Sequence, residues 1–289
     1  MSERSGQECW YESADGLRLY YSDFAVDGSD RLPVLCLPGL TRNSRDFESL
    51  AEHLQQNLGR RVLTPDLRGR GRSQRDPNWR NYQPLTYLGD IERLQVAAGA
   101  PRVVAIGTSL GGILSMLIAA TRPQALAGVV LNDVGPEVAP EGLARIAEYV
   151  GRAAPVASWA EAAAQAKATY GLALPRFGDD DWLDFARRSY VEVDGVPQLD
   201  MDPMIGEAVR ASPAGAAPDL WPVFGALRPI PALAIRGELS DVLSVSTFER
   251  MGRDKPDLER LSVRDRGHPP LLDEPEAVAA IEAFLARLP

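Results

Sequence analysis

Two kinds of apolar segment alternate along the chain. Short unbroken runs recur at Pro33–Leu37, Arg61–Pro65, Val103–Ile106, Leu126–Asn132, Ala232–Arg236 and Leu258–Val263. Continuous runs of this length suit strands covered on both faces, as in a parallel sheet. Between them, apolar residues return every three or four positions: Phe47, Leu50, Leu54 and Leu58 in one stretch, then Leu85, Leu88, Ile91 and Leu94 in another. That period predicts helices with one buried face. Strands and helices in this order make βαβ units, so the fold class is α/β, with a mostly parallel sheet and helices on both faces. Leu17–Phe24 alternates weakly after the Asp15-Gly16 turn and predicts an early antiparallel strand.

The pattern changes at residue 135. From there to 225 the chain lacks β-branched runs and is rich in alanine and aromatic residues. Ser158 with Glu161 has the spacing of a helix capping box. Asp179, Asp180 and Asp181 precede Trp182, Phe185, Ala186 and Tyr190, which predicts an amphipathic helix with acids at its positive end. Three consecutive aspartates also suggest a metal site, but a helix start is the commoner use, and no metal is assigned. Residues 135–225 therefore read as a helical lid set into a core of residues 1–134 and 226–289. A final helix opens at Asp273 and Pro275 and buries Ala277, Ile281, Phe284, Leu285 and Leu288.

Charge and composition narrow the partners. The formal net charge of −9 argues against a nucleic-acid partner. The polar stretch Met1–Gly16 has no apolar signal core, and the longest apolar stretch, around Ile113–Ala120, is too short to span a bilayer. Cys9 and Cys36 are the only cysteines, too few for a disulfide framework. A soluble cytoplasmic protein with no membrane partner is expected; oligomeric state is left open.

The strand Val103–Ile106 runs directly into Gly107-Thr108-Ser109-Leu110-Gly111-Gly112, followed by a small-residue helix. In that context Gly-x-Ser-x-Gly is a strained turn presenting Ser109 as a nucleophile. A serine hydroxyl needs a base within hydrogen-bond reach, and the chain has only two histidines. His53 lies off the apolar stripe of its helix and reads as solvent-facing. His268 follows the strand Leu258–Val263, at the carboxyl edge where open α/β sheets bind ligands. The base needs an acid to orient it. Asp241, after the strand Ala232–Arg236, is preferred over its neighbour Glu238. The backbone N–H groups of Leu110 and of Leu40, in Leu37-Pro38-Gly39-Leu40, are the candidate oxyanion donors.

With those residues in view, the chain closely resembles the α/β-hydrolase fold superfamily over nearly its whole length. The shared segments are Leu37–Leu40, Asp66–Ser73, Gly107–Gly112, Gly237–Asp241 and Gly267–Pro275. The resemblance implies a Ser109/His268/Asp241 triad, an oxyanion hole at Leu40 and Leu110, and a lid after the sixth strand. One departure is Pro38-Gly39 where many members carry His-Gly. The family pattern also makes Arg68, Arg70, Arg72 and Arg75 structural rather than a phosphate clamp. The implied activity is hydrolysis of a small or medium carboxylic ester, with no cofactor and a small-molecule substrate. C–C bond hydrolysis of a ring-cleavage product and lactone opening are the alternatives, ahead of a non-catalytic binding role. Among Tyr149, Trp159, Tyr170, Trp182, Phe185, Tyr190 and Trp221, only one or two are expected to touch substrate; Trp159, Trp182 and Tyr190 are the candidates.

Overall fold

The structure, a computed structural model, describes residues 6–211 and 219–289. Residues 212–218 of the expected lid and residues 1–5 of the expected core lie outside them. The first strands are β1 (Gln7–Glu12), β2 (Arg18–Phe24), β3 (Val34–Leu37), β4 (Val62–Pro65), β5 (Val103–Thr108) and β6 (Leu126–Asn132). The segment after β6 carries a small hairpin, β7 (Tyr190–Val193) and β8 (Val196–Leu199), before β9 (Ala232–Gly237) and β10 (Glu259–Val263) close the main sheet. That sheet runs β1-β2-β4-β3-β5-β6-β9-β10. The pairs β1/β2 and β2/β4 are antiparallel, and the pairings from β4 through β10 are parallel.

Burial on both faces explains the unbroken apolar runs. Val103 and Ala105 of β5 face one core, while Val104 and Ile106 face the other. The first core is closed by α2 (Pro84–Ala97), α3 (Leu110–Thr121), the short α8 (Trp221–Gly225) and α9 (Val245–Asp254), which contribute Ile91, Leu114, Phe224 and Met251. The second is closed by α1 (Glu48–Leu58) and α10 (Pro275–Leu285), through Leu50, Leu54, Ile281 and Phe284. Leu85, expected on the buried stripe of α2, is exposed instead. The stripe is set by Tyr87, Ile91 and Leu94, and Leu85 lies roughly 200° around the helix from Tyr87. The edge strand β1 escaped the sequence pattern because it leaves most of its residues exposed.

Between β6 and β9 stand α4 (Pro140–Tyr149), α5 (Trp159–Tyr170), α6 (Asp179–Ser189), the β7/β8 hairpin, α7 (Met204–Ala211) and α8. Asp179–Asp181 form the exposed first turn of α6. That helix ends before Tyr190, which opens the hairpin. Asp194 and Gly195 both have positive φ in its two-residue turn. Asp-Gly between apolar alternations is a hairpin signal, and it was present in the sequence. Phe224 of α8 joins the core beside α3 rather than the small clusters within α5 and α6.

The arginine-rich loop after β4 braces this insertion. Gly71 N–H donates to Asp200 C=O at 3.1 Å, and Asp202 N–H donates to Gly69 C=O at 2.7 Å. Arg68, almost fully buried, donates to Asp90 at 2.7 Å, Asp76 at 2.5 Å and Asp15 at 2.8 Å. Removing one partner of a buried charge cluster strands the others without compensation. Arg68→Met should therefore destabilise the fold by about 3–5 kcal/mol. Urea denaturation is the check; a midpoint equal to wild type contradicts the assignment of Arg68 as a structural centre.

Candidate active site

The turn at Ser109 depends on close backbone approach. Ser109 has φ 52° and ψ −114°, a region that side-chain-bearing residues rarely occupy. A Cβ on Gly107 would lie 2.3 Å from the Gly111 backbone, and one on Gly111 would lie 2.0 Å from the Leu37 carbonyl oxygen. Both positions must be glycine for α3 to start against β3 and β5. Thus the two glycines allow the strained serine to sit at the carboxyl edge of the sheet.

His268 reaches this serine from the loop after β10. Its Nε2 lies 2.9 Å from Ser109 Oγ, and the imidazole is buried. Asn132 at the end of β6 holds the loop by donating from Nδ2 to Pro270 C=O at 2.9 Å and to Thr108 Oγ1 at 3.0 Å. Gly267 N–H donates to Ala173 C=O at 2.7 Å, tying the loop to the insertion. His53 is remote from this arrangement, hydrogen-bonded to Glu282 of α10 at 2.8 Å.

The carboxylate on His268 is Asp133, not Asp241. Asp133 Oδ2 lies 2.8 Å from His268 Nδ1. It follows β6 directly with φ 54°, a left-handed turn that aspartate tolerates better than most residues. Asp133 is fully buried, and accepts from Gly237 N–H at 2.8 Å and Ser240 Oγ–H at 2.6 Å. The loop after β9 thus supplies donors to the acid rather than the acid itself. Asp241 turns toward α4, where Arg145 donates to its two oxygens at 2.5 and 2.9 Å. Burial works against that carboxylate, yet the Arg145 guanidinium outweighs it and holds the pKa below the usual range. Glu238 instead accepts from Asp265 N–H at 3.3 Å.

Leu40 and Leu110 flank Ser109. Leu110 opens α3, so its N–H has no acceptor within the helix. Leu40 lines a cavity with Ser109 and His268, and its carbonyl is pinned by the buried Arg70, whose Nε donates at 2.8 Å.

That cavity holds about 40 Å³ and borders a larger one of about 300 Å³; Thr41, Arg42, Tyr149 and Tyr170 line both. Phe185 and Ile146 also face the smaller cavity. Trp159 and Trp182, expected at the pocket, line neither. Trp159 donates to Glu192 at 3.0 Å, and Trp182 packs against Phe177 and Phe185 within the insertion. Tyr190 lines the larger cavity only. Sequence periodicity could identify the insertion's aromatics, but not which of them face inward toward Ser109.

Residues 34–281 match the profile of the alpha/beta hydrolase family. The chain belongs to this family. It is 29% identical over 275 residues to the 3-hydroxybutyrate-oligomer hydrolase of Cupriavidus necator, covering 92% of each chain. The 2-(acetamidomethylene)succinate hydrolase of Mesorhizobium japonicum is 27% identical, over 81% of each chain. A crystal structure of an alpha/beta hydrolase from Novosphingobium aromaticivorans superposes with a TM-score of 0.92 at 45% identity, covering 99% of this chain and 100% of that one. The family assignment agrees with the mostly parallel sheet. Among the described residues, no helix is long and apolar enough to cross a membrane.

Proposed function

We propose that this alpha/beta hydrolase cleaves small or medium carboxylic esters through an acyl-enzyme on Ser109. The observation that carries this reading is the hydrogen-bonded line from Ser109 Oγ through His268 to Asp133. His268 Nε2 accepts the serine proton as Oγ attacks the ester carbonyl carbon. The buried Asp133 carboxylate fixes the tautomer and stabilises the imidazolium. The N–H groups of Leu40 and Leu110 donate to the tetrahedral oxyanion. His268 then gives its proton to the departing alkoxide. Water, activated by the same imidazole, hydrolyses the acyl-enzyme. In this reading the segment between β6 and β9 acts as a lid, and its Tyr149, Tyr170 and Phe185 shape the acyl site. The reaction runs on protein groups and a cytoplasmic small-molecule substrate.

The Cupriavidus necator relative makes short hydroxyacid esters a natural series to follow p-nitrophenyl acetate and butyrate. Wild type should hydrolyse such esters and be labelled by a fluorophosphonate probe, with Ser109→Ala unlabelled. Absence of a Ser109-dependent adduct sinks the proposal and favours a binding role for the fold. C–C bond and lactone hydrolysis use the same residues; activity on vinylogous diketones or lactones without activity on esters selects them.

Ser240 acts in this scheme by holding Asp133. Its hydroxyl donates to Oδ2 while accepting from Val242 N–H at 3.2 Å and Leu243 N–H at 3.1 Å. A hydrogen bond to a charged group contributes about 1.5–3 kcal/mol. Ser240→Ala should lower kcat/KM by roughly ten-fold or more, with partial recovery in Ser240→Thr. Unchanged kcat/KM across the pH profile contradicts this positioning role.

A further inference from the structure

The two cavities differ in a way that bears on the substrate. The one at Ser109 is the tighter, at about 40 Å³. The neighbouring chamber offers about 300 Å³. The wall they share is polar: Tyr170 Oη and Thr41 Oγ1 are 3.1 Å apart. Arg42 in the same wall is held by Asp46 at 2.6 Å and also bonds Ser189.

Most of the chamber's polar lining is already committed to the protein itself. Tyr190 Oη–H donates to Gln165 Oε1 at 2.5 Å, and Gln165 Nε2 donates to Ala154 C=O at 2.9 Å. Thr169 Oγ1–H donates to Gln165 C=O at 3.0 Å, and Ser189 Oγ–H to Phe185 C=O at 2.8 Å. Arg152 stands apart. A solvent-exposed residue, it lines the chamber, yet no hydrogen bond or ion pair engages its side chain among the described residues. Three other arginines around the site each hold a carboxylate: Arg42 with Asp46, Arg45 with Asp200 and Arg145 with Asp241. A guanidinium fork matches a carboxylate in bidentate geometry.

We infer that the larger chamber binds the tail of an ester that carries a free carboxylate, with Arg152 as its partner. The inference rests on the proposed ester hydrolysis at Ser109. The scissile group occupies the small cavity, and the chain passes Thr41 and Tyr170 to bring its carboxylate to Arg152. Glu148 lines the same chamber and sets a like charge against that carboxylate, so it limits affinity for anions. The site therefore discriminates by charge at the tail rather than at the reacting carbonyl.

The test compares monomethyl adipate with methyl hexanoate, a matched anionic and neutral pair, by methanol release from the purified full chain. Wild type should show the lower KM for monomethyl adipate. Arg152→Ala should raise KM for monomethyl adipate about ten-fold relative to KM for methyl hexanoate, and Arg152→Lys should restore part of the difference. Glu148→Gln should shift the ratio the other way. Hydrolysis of both esters with a KM ratio that Arg152→Ala leaves unmoved overturns the inference while ester hydrolysis stands. Hydrolysis of neither ester, together with no Ser109-dependent probe adduct, overturns the reading beneath it.

Discussion

Ser109→Ala should lower kcat for ester hydrolysis by roughly 10⁴–10⁶-fold while leaving the fold intact. In the proposed mechanism the substitution removes the only atom that bonds covalently to the substrate. What survives is catalysis by binding and by the oxyanion donors, which in other serine hydrolases gives a residual acceleration of about 10³–10⁴ over water. Stability should change little, because Ser109 Oγ makes one hydrogen bond, to His268, at the edge of an open cavity. Alanine also inherits the strained φ of 52°, so the turn keeps its geometry and cost. Burst kinetics with p-nitrophenyl butyrate and a thermal melt give the two readouts. Retained turnover above a hundredth of wild type places the nucleophile elsewhere.

Asp133→Asn and Asp241→Asn should separate by about three orders of magnitude in kcat. An asparagine at 133 keeps the shape but presents a neutral amide to His268 Nδ1, which disfavours the productive tautomer and the imidazolium; the comparable change in a serine protease lowers kcat about 10⁴-fold. It also weakens the contacts from Gly237 N–H and Ser240 Oγ–H. Asp241→Asn breaks instead a partly exposed ion pair with Arg145. Pairs of that kind contribute about 1 kcal/mol or less, so kcat should stay within several-fold of wild type. Steady-state kinetics on both variants decide between the carboxylates. The reverse order of effects would falsify the assignment of Asp133.

Asp133 and Asp241 satisfy the same sequence criteria. The order Ser, Asp, His holds for Asp133 as well as for Asp241, and both residues follow strands at the same edge of the sheet. β6 and β9 are adjacent, so neither chain order nor strand end separates the two. The difference lies in how each loop leaves its strand. Asp133 turns left-handed at once, toward the buried face of His268. The β9 loop extends to place Ser240 on Asp133 and then carries Asp241 outward to Arg145 on α4. That partner comes from the insertion, whose packing no local pattern encodes.

Local chemistry made much of the rest legible. Unbroken apolar runs located the central strands, because both faces of each strand are covered. The Gly-x-Ser-x-Gly turn was readable because its glycines answer to backbone contacts within a few residues and across to β3. His268 stood out because histidine is scarce in this chain. By itself, then, the sequence determined the α/β alternation, the strained serine turn and the histidine that meets it. Tertiary structure alone decided which carboxylate holds that histidine and which aromatics face Ser109. It also left Arg152 as the lining cation without a partner among the described residues. Periodicity and turn chemistry act over a few residues, whereas a carboxylate and a histidine separated by 135 positions meet only when neighbouring strands and their loops pack.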